Sequence, residues 1–133
     1  RHYRRQRQMC IRDRFKDLQH YPILFVSALT KRRVSNILEK AWETFTKQKE
    51  KLSTKDLNVW IEKAVKNYPP PATQGRSIKI KFVEQVQQSP PIFALFSNYP
   101  KLISIQYLRY LHNQLRESFD LKGITIKFSL RKG

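Results

Sequence analysis

Three consecutive prolines, Pro69, Pro70 and Pro71, divide this chain more firmly than any other feature of its sequence. A proline has no N–H to donate and its ring drives the preceding residue out of helical torsions, so no helix crosses this point. On the N-terminal side apolar residues recur at helical spacing. Val34, Ile37, Leu38, Ala41, Trp42 and Phe45 follow steps of three and one, and Leu57, Trp60, Ile61, Ala64, Val65 and Tyr68 repeat the pattern. Each set lies along one face of a helix. Ser53, with Asp56 three residues later, caps the second helix. Trp42 and Trp60 fall on these stripes, which assigns both to the core rather than to base stacking.

Beyond the prolines the period changes. Ile78, Ile80 and Phe82 alternate with Lys79, Lys81 and Val83, which reads as a half-buried strand with its lysines outward. Ser89-Pro90-Pro91 breaks it, and Ile92 to Phe96 is a continuous apolar run, as expected of a strand contacted on both faces. Ser104 caps a third helix whose buried stripe is Leu108, Leu111, Leu115 and Phe119, with Arg109, His112 and Arg116 mostly elsewhere. Gly123 marks the exit turn, and Ile124, Ile126, Phe128 and Leu130 then alternate with Thr125, Lys127, Ser129 and Arg131. Far upstream, Tyr21 to Leu29 reads as a short buried strand of a parallel sheet that has no neighbour in this chain. The order is strand, helix, helix, strand, strand, helix, strand. From about residue 31 onward it predicts an α+β two-layer sandwich, three helices against a three-stranded sheet. Lys79, Lys81, Lys127 and Arg131 then project from the face that the helices leave open.

The charge is the second constraint. Lys and Arg number 27 against 10 Asp and Glu, a net +17. Residues 1–14 carry six arginines and one aspartate, +5, which leaves +12 on the rest. Leu, Ile, Val and Phe number 38 of 133 residues, enough for a core despite the charge. A basic folded surface draws polyanions by long-range attraction and counterion release, so RNA, DNA or an acidic protein face are its natural partners. No apolar run approaches the roughly 18 to 20 residues of a membrane span, and no apolar signal core follows the basic N-terminus. One cysteine and three histidines give neither an internal disulfide nor a Cys/His metal cluster, which suits a reducing, cytoplasmic setting.

Catalytic signatures are missing. With only Gly75, Gly123 and Gly133, the chain holds neither a phosphate-binding P-loop nor the Gly-x-x-Gly clamp of a standard KH domain. Asp120 to Gly123 has the Asp-x-x-Gly spacing of a GTPase motif but ends a helix instead of following a strand. His112 has no nucleophile nearby in sequence and reads as a surface histidine. Glu39 and Glu43 share their helix with Lys40 and Lys47, as ordinary charge pairs. No enzymatic site emerges from these residues.

Specific strings carry a resemblance. Ser27-Ala28-Leu29, arriving at the end of an apolar run, is similar to the fifth guanine-nucleotide motif of translation-factor-type GTPases. Pro69-Pro70-Pro71, Gln74-Gly75-Arg76, Lys79 to Phe82, Gln85-Val86, Pro90 to Asn98, Tyr107 to Arg116 and Gly123 to Ile126 together resemble the C-terminal KH-like domain of the Der/EngA family, bacterial tandem GTPases of large-subunit ribosome assembly. The resemblance runs from about Phe15 to Arg131. It implies a KH-like fold over residues 31–133, preceded at 14–30 by the last strand and guanine loop of a second GTPase domain, in a C-terminal piece of a longer protein. Residues 1–13 match nothing in the family and read as a non-native leader, and the chain begins with Arg. Both P-loops, both switch regions and the Asn-Lys-x-Asp motif lie outside this sequence. The resemblance thus implies GTP and Mg²⁺ for the parent protein and no cofactor for this piece.

The resemblance implies two roles. In the first, the domain docks its parent onto ribosomal RNA of the large (50S) subunit precursor through backbone phosphates, using Arg76, Lys79, Lys81, Lys127 and Arg131, with Arg109, Arg116 and the junction residues Lys31, Arg32 and Arg33 as further candidates. In the second, the same basic residues meet an acidic face of the first GTPase domain and report its nucleotide state.

Overall fold

The computed structural model describes residues 2–133 and the side chains of all of these but Asp17; Arg1, the first residue of the expected leader, lies outside them. Helix α1 spans His2–Arg14, α2 Ser35–Gln48, α3 Thr54–Asn67 and α4 Ile105–Ser118; the strands are β1, Ile80–Gln88, β2, Pro91–Ser97, and β3, Lys127–Lys132. The sheet order is β1-β2-β3. β1 pairs antiparallel with β2, as a hairpin does, and β2 pairs parallel with β3 through the crossover that contains α4. This is an α+β KH-like fold with a mixed three-stranded sheet.

The caps form where the sequence places them. The Ser53 hydroxyl accepts the Asp56 N–H and the Ser104 hydroxyl accepts the Tyr107 N–H, each satisfying one of the free donors of a first helical turn. The core unites Leu57, Trp60, Ile61 and Ala64 of α3 with Val83, Phe93 and Leu95 of the sheet and Tyr107, Leu111 and Leu115 of α4. β2 is the central strand, and Phe93, Ala94, Leu95 and Ser97 are wholly buried. Two tyrosines of α4 bind the end of α3: Tyr107 Oη donates to the Tyr68 carbonyl at 2.9 Å and Tyr110 Oη to the Ala64 carbonyl at 2.8 Å. Both acceptors belong to the helix end that the proline run deprives of further turns.

Four expectations are corrected. The strand expected from Tyr21 to Leu29 does not form. Residues 22–26 form no regular element, and one isolated bridge, Ser27 to Arg32, closes a turn. A strand needs a neighbour for its backbone groups, and none is at hand. Second, two helices cover the sheet rather than three: α2 has no buried residue. Its stripe is amphipathic but unpaired, so Trp42, expected in the core, is 68% exposed, whereas Trp60 is buried. Third, Val83 is fully buried and Phe82 is 38% exposed, the reverse of the simple alternation. The ladder shifts register between Ile80 and Phe82, so Lys81 is an extra residue and the side chains from Phe82 to Gln85 change face, until a second shift between Gln85 and Gln87 restores the alternation. Fourth, His112 is not a surface histidine; its ring lies 4.4 Å from that of Phe128, centroid to centroid.

Candidate nucleic-acid interface

The ladder registers decide which side chains share the face turned away from α3 and α4. Phe93 opposite Phe128 and Leu95 opposite Leu130 point to the helices, so Ile92 with Lys127, Ala94 with Ser129, and Phe96 with Arg131 occupy the other side. Across β2, Phe82 opposes Phe96 and Glu84 opposes Ala94. The Phe82 and Phe96 rings stand 5.7 Å apart, tilted by 47°. The open face thus carries an aromatic pair next to Arg131, with Lys127 four residues back along β3 beside Ile92; both cations are exposed.

The other candidates are placed differently. The bulge residue Lys81 turns its Nζ to the Gly133 carbonyl at 2.7 Å, across the end of the sheet. Lys79 precedes β1, and its backbone is held by Asn98: the Lys79 N–H donates to Asn98 Oδ1 at 2.8 Å, and the Asn98 N–H donates to the Lys79 carbonyl at 3.3 Å. Arg76 closes a tight turn with Thr73, for which Gln74 and Gly75 adopt φ of 53° and 70°. Its guanidinium stacks over the Tyr99 ring, 5.0 Å from the centroid. Arg109 and Arg116 lie on α4, on the helix side of the sheet, and do not join Lys127 and Arg131. Neither forms an ion pair among the described residues; the carboxylate of Asp120 instead holds Lys47 at 3.1 Å. That hydrogen bond and the attraction behind it raise the Lys47 ammonium above its ordinary value.

At the other end, the Ser27 N–H donates to the Arg32 carbonyl at 3.2 Å, and Thr30 N–H donates to Ser27 Oγ at 3.3 Å. Ala28 and Leu29 are exposed, Leu29 at 95%, and Lys31 and Arg33 take positive φ of 54° and 60°.

Phe82, Phe96 and Tyr99 were missing from the sequence-derived site. Period two assigned Phe82 to the core, and only the bulge at Lys81 turns it outward. Among the described residues no helix is long and apolar enough to cross a membrane, and no group of three His, Cys, Asp or Glu could hold a metal ion.

Comparison with known proteins agrees with this architecture. The family described as KH-domain-like of EngA bacterial GTPase enzymes, C-terminal, matches residues 51–131, the stretch that holds α3, the sheet and α4. The chain is 43% identical over 113 residues to GTPase Der of Amoebophilus asiaticus, covering 85% of this chain and 26% of that protein. It is 40% identical over 123 residues to GTPase Der of Bacteroides fragilis, and 38% over 122 residues to that of Flavobacterium johnsoniae, covering in each case 92% of this chain and 28% of the relative. The chain therefore spans about a quarter of the length of these relatives. With its matched residues coinciding with the helix-backed three-stranded sheet, this chain belongs to the family of KH-like C-terminal domains of EngA bacterial GTPases.

Proposed function

We propose that this chain is the RNA-docking module of a tandem GTPase that acts in assembly of the large ribosomal subunit, in the cytoplasm. The observation that carries the reading is the open sheet face, where Arg131 stands next to the Phe82–Phe96 pair and Lys127 lies four residues back along β3 beside Ile92. Lysine and arginine neutralise backbone phosphates without reading sequence, and aromatic rings offer sequence-tolerant contact to unstacked bases. GTP and Mg²⁺ binding belong to domains of the parent protein that this chain does not contain, and the chain itself performs no catalysis. In salt-series binding to large-subunit ribosomal RNA, log affinity falls steeply with log salt, and Lys127→Glu with Arg131→Glu reduces that slope by about two. An unchanged slope removes this face from RNA binding.

A second reading rests on the same aromatic pair. Two phenylalanines with Arg131 at one side and Lys127 on the same face also suit a protein partner with an apolar centre and an acidic rim, such as a GTPase domain of the same protein. Binding to that domain instead of RNA, abolished by Phe96→Ser, is the outcome that favours it.

A further inference from the structure

A second cationic site lies on the helix side of the sheet. Along α4, Arg109, His112, Asn113 and Arg116 follow steps of three, one and three and so share a face. The segment Lys16 to Pro22 passes over that face and is tied down beyond it. Tyr21 Oη and Thr125 Oγ1 are hydrogen-bonded at 2.7 Å, and Pro22 sits against Gly123, where an added Cβ would meet its Cδ at 3.1 Å. Between segment and helix is an open cavity of about 470 Å³, lined by Lys16 and His20 on one side and Arg109, His112, Asn113 and Arg116 on the other.

Three permanent cations line this cavity, and no carboxylate does among the described residues. Among the described residues, Glu117 acts on His20 more weakly than, and opposite to, the Arg116 charge. Two polar atoms of the lining residues, His112 Nδ1 and Arg116 Nε, are buried without a hydrogen-bond partner. Both atoms are closed off from solvent, so a ligand in the cavity meets the terminal guanidinium nitrogens instead, and among the described residues neither Arg109 nor Arg116 has an ion-pair partner. Burial, and then the Arg116 charge, push His112 down to about 4, so near pH 7 its ring is neutral, with one nitrogen carrying a proton it can donate. Burial likewise lowers Arg116.

We propose that this cavity binds a phosphate group, with the terminal guanidinium nitrogens of Arg109 and Arg116 and the Lys16 ammonium supplying the charge and the donors. Guanidinium and phosphate match in shape as well as sign. The site is separate from Lys127 and Arg131, which lie across β3 on the other face. It does not depend on the RNA reading of that face. Free phosphate and a phosphate of an RNA backbone share this chemistry.

The test is a titration of the full chain at constant ionic strength, followed by the imidazole proton resonances of His20, His112 and the distant His2. One arm adds inorganic phosphate and the other a short RNA without terminal phosphates. Saturable shifts at His112 and His20 but not at His2 are expected, with affinity weakened roughly tenfold or more in Arg116→Gln, as loss of a charge-assisted hydrogen bond implies. The exposed Arg109→Gln should weaken it in the same direction without disturbing the fold, whereas Lys66→Gln on α3 should not. Saturation by RNA identifies a backbone phosphate, and saturation by inorganic phosphate alone identifies a free one. Linear shifts at all three histidines, or unaltered affinity in both arginine variants, overturn the proposal.

Discussion

The ring of His112 stands against Phe128 and beside Arg116, and this placement sets its chemistry. Burial first, the Arg116 charge second and His20 third lower its proton affinity to a pKa of about 4 from an ordinary 6.5. A histidine lowered in this way binds fewer protons folded than unfolded between those two values. Its contribution to stability is complete above pH 6.5 and is lost as pH falls toward 4. His20, also lowered, acts in the same direction. Urea midpoints should therefore decline from pH 7 to pH 4.5, and His112→Gln should make that decline shallower; an equal decline in the variant would refute the assignment. The spacing of α4 placed His112 off the main apolar stripe, and nothing local indicated that Phe128 would pack against it or that His20 would face it across a cavity.

Each element is held by polar contacts that its own sequence does not reveal. β1 is an edge strand, yet Val83 is not left open: Asn58 of α3 donates Nδ2–H to the Val83 carbonyl and accepts the Val83 N–H at Oδ1, both at 3.0 Å. One side chain thus imitates a neighbouring strand and fastens helix to sheet. Asn58→Ala leaves two backbone groups unpaired and should lower stability by about 1–3 kcal/mol in chemical denaturation. A loss below a few tenths would mean that water replaces the amide freely. At α4, Ser104→Ala removes the acceptor for the Tyr107 N–H, and a cost of about 1 kcal/mol is expected by the same measurement. The caps were legible because they need only one residue type and its position before an apolar period. The bulge at Lys81 was not, because it depends on pairing with β2, and it reversed the facing of Phe82 and Val83.

Across the whole molecule, order is unequal. Residues 51–131 contain every member of the core, whereas α1 and α2 have no buried residue. The links between α2 and the folded layer include an ion pair between exposed Lys47 and Asp120. Few buried contacts imply local opening far below the global unfolding free energy, so amide hydrogens of α2 should exchange orders of magnitude faster than those of α4 and β2. Equal protection in α2 and α4 would show that the apolar stripe of Val34, Ile37 and Trp42 is covered in solution. Local pattern was sufficient for the three helices from residue 35 onward, the three strands after the prolines, both serine caps and the basic alternation of β3, because hydrophobic period, proline and capping chemistry act within a few residues. Which helices cover the sheet, that Trp42 stays outside it, that Lys127 and Arg131 share a face with two phenylalanines, and that His20 meets His112 were decided by tertiary structure. Each depends on strand pairing or on contacts between residues far apart in the chain, and the periodicity of a single segment is the same whether or not a partner arrives to bury it.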